Sequence, residues 1–189
     1  AIGAIIDAAG GAYIDAGIIG PPPGKRDRST QFYVSGPTAD DFADLDGHGI
    51  AVTVLDKHIG QASAMKMCYA AITKGTWTLY TAALMTAETF GLTDAYMAEV
   101  EASRPAVMND MRRMVPRLPV DAGRWIGEME EISATLKSAG LPPGFHDGAA
   151  DVFRLLDRTP IAQETRETID ASRTLEEALA IFTDTLSKS

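Results

Sequence analysis

Gly60-Gln61-Ala62-Ser63-Ala64-Met65-Lys66 is the stretch on which the reading of the whole chain turns. A glycine and small residues make a tight turn, and the longest helical pattern, 62–90, starts from it. Its apolar residues fall at helical spacing (Met65, Tyr69, Ile72, Leu79, Leu84), and Gly91 stops it. A lysine then lies in the first turn or two. The amino end of a helix carries roughly +0.5 of an elementary charge, so a cation there costs about a few tenths of a kcal/mol. Local choices that work against stability mark functional or strained places. The helix is apolar nearly all round, so other helices or a second subunit are expected to bury it.

Upstream of Gly60 the pattern alternates between strand and helix. Residues 1–9 read as the end of a helix stopped by Gly10-Gly11, and 12–19 as a short apolar strand broken by Asp15. Gly20-Pro21-Pro22-Pro23-Gly24 forces a loop, 31–35 alternates like a strand, and 50–55 is a further apolar strand. Between them Gly36-Pro37-Thr38 opens a short helix to Leu45, with Asp40 and Asp41 in its first turn, where acids are favoured. Three strands and two helices make only half of a doubly wound sheet, with an open edge. Downstream the pattern is helical throughout: 93–103, 106–114, 123–139, 144–158 and 175–186. Pro105, Pro116, Pro119, Pro142-Pro143 and Pro160 separate most of these segments. The chain opens on Ala1, already inside a helical stretch, and the expectation is that a preceding segment is missing.

The totals bound the function. With 189 residues, 46% apolar and 23% charged, the chain reads as an ordinary soluble protein able to bury a substantial core. A net charge of −9 argues against nucleic-acid partners and against an anionic membrane surface. One cysteine, Cys68, leaves no intrachain disulfide and fits a cytoplasmic protein; a buried, small-hydrophobe role is expected of it. No apolar run reaches the ~18–20 residues of a membrane span. His48, His58 and His146 lack metal-ligand spacing, so no metal site is expected.

With this order of elements in hand, the chain resembles the β-hydroxyacid dehydrogenases, the 3-hydroxyisobutyrate and 6-phosphogluconate dehydrogenase superfamily. Asp15-Ala16-Gly17-Ile18-Ile19-Gly20-Pro21 resembles the family's Asp-Ala-Pro-Val-Ser-Gly-Gly. Gly60 to Lys66 resembles its Gly-x-Gly-x-x-x-Lys turn, with Ala62 in place of the second glycine. The run Arg124-Trp125-Ile126-Gly127-Glu128-Met129-Glu130-Glu131-Ile132 resembles a branch with a poorly characterised C-terminal helical domain. The resemblance implies a partial Rossmann (doubly wound) α/β domain at 1–58 and an all-α domain of the 6-phosphogluconate dehydrogenase type at 59–189. It further implies an NAD- or NADP-dependent oxidoreductase acting on a hydroxy acid, and a homodimer formed through the helical domain. The Gly-x-Gly-x-x-Gly fingerprint is absent from this sequence, and the resemblance places it upstream of Ala1.

By the same resemblance Lys66 is the general acid/base. Asp15, Gly17, Ile18, Ile19 and Gly20 line the substrate, while Gly60, Ala62, Ser63 and Glu128 meet the cofactor. The sequence also departs from the family. Tyr69 and Ala70 stand where it has an asparagine, Ile19 where it has a serine, Pro21 where it has a glycine, and Gly127-Glu128-Met129 where it has Lys-Asp-Leu. Substrate recognition is therefore expected to differ. Tyr69 and Thr73 share the helix face of Lys66, and Tyr69 either hydrogen-bonds the substrate or packs in a helical core. Ser63 either caps the helix or touches a ligand. Asp15 is read as ending a strand, the place where open α/β sheets hold ligands. Lys25, Arg26 and Arg28 form one basic cluster, and Arg112, Arg113 and Arg117 another. For both, a solvated face is the leading reading and an anion clamp the alternative. Arg124 and Glu128, four residues apart on one helix face, are expected to pair. Two rivals stand beside the dehydrogenase reading: a non-catalytic helical dimerisation or ligand-binding module, and an imine or keto-acid reductase of the same fold.

Overall fold

The computed structural model describes residues 2–24 and 30–188, and it divides into two compact units between Tyr69 and Ala70. In the first unit a short helix α1 (Ile2–Ala8) precedes a three-stranded sheet, β1 (Asp15–Ile19), β2 (Thr30–Ser35) and β3 (Ile50–Asp56), in the order β1-β2-β3. β1 runs antiparallel to β2, and β2 parallel to β3. A 3-10 helix at Ala39–Leu45 connects β2 to β3, and Phe42 on it stacks on Phe32 of β2, ring centroids 5.7 Å apart. Ile19, Val34, Ala39, Ala62 and Met67 are buried in this unit.

β1 starts at Asp15, later than the sequence suggests. The apolar run 12–14 reads as strand, but pairing with β2 stops at Asp15 opposite Ser35. Beyond Ser35 the chain turns at Gly36, whose positive φ of 132° takes it off the ladder. Asp15 therefore begins its strand and does not end it.

The helix α2 (Gln61–Thr89) opens from Gly60, which holds a φ of 103° that other residues rarely adopt. Its amino end is tied to the sheet by one carboxylate. Asp15, 5% exposed, accepts hydrogen bonds from the N–H of Gly60 (3.0 Å), the N–H of Ser63 (3.0 Å), the Ser63 hydroxyl (2.5 Å) and the Ser35 hydroxyl (3.1 Å). The Ser35 oxygen in turn accepts from the N–H of Ala62 at 3.1 Å. Gly17, in β1, lets the helix come close. A Cβ there would run into the Ala62 carbonyl oxygen and lie 3.1 Å from the Lys66 Cβ.

The second unit takes in the rest of α2 with α3 (Thr93–Ser103), α4 (Pro105–Met114), α5 (Pro119–Ser138), α6 (Gly144–Asp157) and α7 (Leu175–Ser187). Proline occupies the first turn of α4 and of α5, where its missing N–H costs nothing. A reciprocal Thr174–Glu177 capping box starts α7. Along α6 Ala149, Ala150, Phe153 and Leu156 are buried, and along α5 Ala122, Trp125, Met129 and Ile132. These two stripes pack on one another, and Phe182 and Leu179 of α7 join the same core. Trp125 lies against Trp77 of α2 and Phe153 of α6, at centroid distances of 5.8 and 5.4 Å.

Two outcomes test the tie between β1 and α2. Gly17→Ala should destabilise the protein by about 1–3 kcal/mol, because backbone and not a pliable side chain blocks the new methyl; a urea unfolding midpoint equal to wild type would contradict this. Burial alone would raise the Asp15 carboxyl, but the hydrogen bonds from Ser63, Ser35 and Gly60 outweigh it and hold the group below its ordinary 3.8. A depressed folded value contributes stability above the unfolded value, and this is lost as pH falls through the folded one. Asp15→Asn should accordingly cost about 1–3 kcal/mol at pH 7. The gap to wild type should close as pH falls below about 4. Unfolding curves across that range, with a gap that stays constant, would disprove the assignment.

Candidate functional site

The sheet's register brings the first unit's polar residues to one edge. Asp15 pairs with Ser35, and Ser35 with Asp56, so the start of β1 lies beside the carboxyl ends of the parallel strands β2 and β3. Ligands of open α/β sheets sit at such an edge. Asp15 reaches it because β1 is antiparallel, not because its strand ends there. Asp56 accepts from the Lys57 N–H at 2.5 Å and lies 2.9 Å from the His58 Nδ1. The His58 contact and the Lys57 N–H hold the Asp56 carboxyl below its usual range.

Lys66 stands one turn beyond this cluster, half-buried, its Cβ over Gly17. Among the described residues it makes no hydrogen bond and no ion pair, while Lys57, Lys74 and Lys188 are each paired with a carboxylate. The charge at the helix end is also not what the sequence alone implies. The Asp15 carboxylate already sits on the amino end of α2 and offsets its partial positive charge.

Asp15, Gly17, Gly60, Ala62, Ser63 and Lys66 thus meet around the first turns of α2. Ile18, Ile19 and Gly20 do not join them. They lead to the opposite edge of the sheet, Ile19 pairing with Gln31, about 13 Å along the strand from Asp15; the Ile19 side chain is buried and Ile18 is exposed. Tyr69, 37% exposed, follows Lys66 by three residues. In the second unit the Thr73 hydroxyl bonds back to the Ala70 carbonyl at 3.2 Å.

Glu128 pairs with Lys74 at 3.1 Å, both side chains largely buried, and the Lys74 ammonium lies 5.8 Å from the Trp125 ring centroid. Arg124 takes Asp121 instead, at 2.9 Å, so the expected Arg124–Glu128 pair does not form. Cys68 is exposed, not buried. The cluster of Lys25, Arg26 and Arg28 lies outside the described residues. Ser35 was not singled out from the sequence, although Ser35-Gly36-Pro37 closing a strand is the signal that marks it.

For a nicotinamide cofactor the fit has two parts. The unpaired, half-buried Lys66 beside Gly17 suits the reacting end of such a site. The α2 amino end does not suit the phosphates. The N–H groups of Gly60, Ala62 and Ser63 are committed to Asp15 and Ser35, and that of Ala64 to the Gly60 carbonyl, so these four are not free to cradle an anion.

Residues 87–156 match the model of a domain of unknown function, DUF1932. No curated protein sequence matches the chain. Among solved structures, a conserved hypothetical protein from Sinorhizobium meliloti 1021 superposes over 96% of this chain and 60% of its own, with 20% identity and a TM-score of 0.72. The conserved protein MTH1747, of unknown function and described as structurally similar to 3-hydroxyacid dehydrogenases, superposes over 78% and 57%, with 24% identity and a TM-score of 0.62. A Streptomyces aurantiacus imine reductase aligns over 94% and 63% at 17% identity, but its TM-score of 0.38 is too low to indicate a shared fold. The chain spans about 60% of the first structure and 57% of the second. A small three-stranded sheet followed by helices is the fold that this chain shares with these two structures, of which MTH1747 is the one described as similar to 3-hydroxyacid dehydrogenases.

Proposed function

We propose that this chain is the part of an NAD- or NADP-dependent oxidoreductase that carries the acid/base group, and that it acts on a hydroxy acid or a related small molecule. The observation that carries this reading is Lys66: a half-buried lysine with no carboxylate partner among the described residues, held next to Gly17 one helical turn from the carboxyl edge of the sheet. A nicotinamide cofactor, when bound, would accept or supply the hydride at the carbinol carbon. Lys66 would take the proton from the substrate hydroxyl as the hydride leaves, and return it in the reverse direction. An ion pair would tie up that nitrogen, and among the described residues Lys66 has none. Gly60 and Ser63 contribute by fixing the helix on Asp15, so that the lysine is aimed by backbone and not by a mobile loop. The N–H groups of Gly60, Ala62 and Ser63 would not hold the cofactor's phosphates, because Asp15 and Ser35 already take them.

The same reading includes a homodimer through the helical unit. Ile72, Leu79, Phe90 and Phe145 are strongly exposed, and an apolar groove of about 460 Å³ runs between α2 and α6. That strip is also what favours the rival reading, a helical dimerisation module without catalysis. Among the described residues no helix is long and apolar enough to cross a membrane.

Lys66→Ala should lower kcat by roughly a hundredfold or more with an unchanged circular dichroism spectrum, followed by nicotinamide absorbance in the intact gene product with hydroxy acids as substrates. Near-normal turnover in that variant would remove Lys66 from the chemistry. Cofactor binding without turnover on any hydroxy acid, keto acid or imine would favour the non-catalytic module. Leu79→Glu should shift the protein from dimer to monomer in analytical ultracentrifugation; a wild type already monomeric would refute the dimer.

A further inference from the structure

The second unit holds a small cleft of about 210 Å³ between the end of α4, the 3-10 turn Val115–Arg117 and the loop before α7. Its walls include Arg112, Arg113, Arg117 and Arg173, with Asp170 as the single carboxylate among the lining residues. This is an unusual concentration of guanidinium groups in a chain with a net charge of −9.

The four arginines differ in how they are held. Arg173 is a fixed wall: its side chain is 10% exposed and both guanidinium nitrogens donate to Glu164. Arg112 and Arg113 pair with Glu101 and Asp110, but these bridges are exposed and such pairs are worth about 0–1 kcal/mol. A better acceptor can redirect them. Arg117 is exposed and has no hydrogen bond or ion pair among the described residues. Placement in the last turn of α4 explains Arg112 and Arg113 as partners of the helix dipole. It does not explain Arg117, or why Arg173 comes to the same cleft from a loop more than fifty residues downstream.

We infer that this cleft binds a small oxyanion carrying at least two charges, a phosphate or a polycarboxylate. Planar guanidinium groups grip both classes by paired, charge-assisted hydrogen bonds, and the volume admits an anion of that size but not a dinucleotide. The site lies apart from Lys66 in sequence and needs none of the residues assigned to proton transfer, so it fits a binding or effector role.

Isothermal titration of the intact protein at low salt, with citrate and with inorganic phosphate as probes, tests it. At least one probe should bind at a single saturable site, and the preferred one identifies the ligand class. Arg117→Ala and Arg112→Ala should each weaken that binding about tenfold. Asp170→Asn should tighten it, because it removes the one carboxylate among the lining residues, whereas those of Glu101, Asp110 and Glu164 are held in ion pairs with the arginines. Lys137→Ala removes the same charge elsewhere and should leave it unchanged. Absence of saturable binding by both probes would overturn the inference. So would Lys137→Ala weakening binding as much as Arg117→Ala, since that is a general charge effect and not a site.

Discussion

The Asp15 carboxylate is the constraint around which the first unit is organised. Four donors converge on it from three separate places in the chain: Ser35 at the end of β2, Gly60 at the turn, and Ser63 in the helix. A buried carboxylate without such partners would be expelled or protonated. With them it becomes the point at which strand and helix are joined. It also reverses the electrostatic argument about Lys66. The helix end that should repel a lysine is capped by a negative charge, so the cation is tolerated one turn further on. The lysine's role then rests on its isolation from other carboxylates and on its place beside Gly17.

Much of the fold was legible because local chemistry agreed with the final structure. Prolines and glycines punctuate the helical half, and the expected helix 93–103 and its neighbours reappear with ends moved by a few residues at most. The errors came where distant residues decide. Nothing near Asp15 announces that its partners lie 45 and 48 residues on, so the apolar run before it reads as strand. Arg124 and Glu128 have the right helical spacing for a pair, but Lys74, brought in from α2 and lying over the Trp125 ring, takes Glu128. Likewise Cys68 has apolar neighbours in sequence and yet faces outward.

The candidate site was legible in composition but less so in geometry. Matching a motif puts Asp15 through Gly20 into one lining, whereas an extended strand carries its two ends to opposite edges of the sheet. Only Asp15 and Gly17 stay with Lys66. Similarly, the resemblance gives Gly60, Ala62 and Ser63 to the cofactor, but here their N–H groups are taken by an internal carboxylate and by Ser35.

These features converge on α2. Helices in proteins draw most of their stability from burying an apolar face. Along α2 Ala62, Met67, Ala70, Leu84 and Met85 are buried, but Ile72 and Leu79 are about two-thirds exposed or more. This helix of 29 residues therefore leaves large apolar side chains uncovered on the strip that the proposed dimer would bury. The amino end is fixed by Asp15, in the same turns that position Lys66. Placement of the lysine and anchoring of the helix are therefore one structural problem with one solution. A substitution that loosens the Asp15 network would misplace the lysine even where the helix survives.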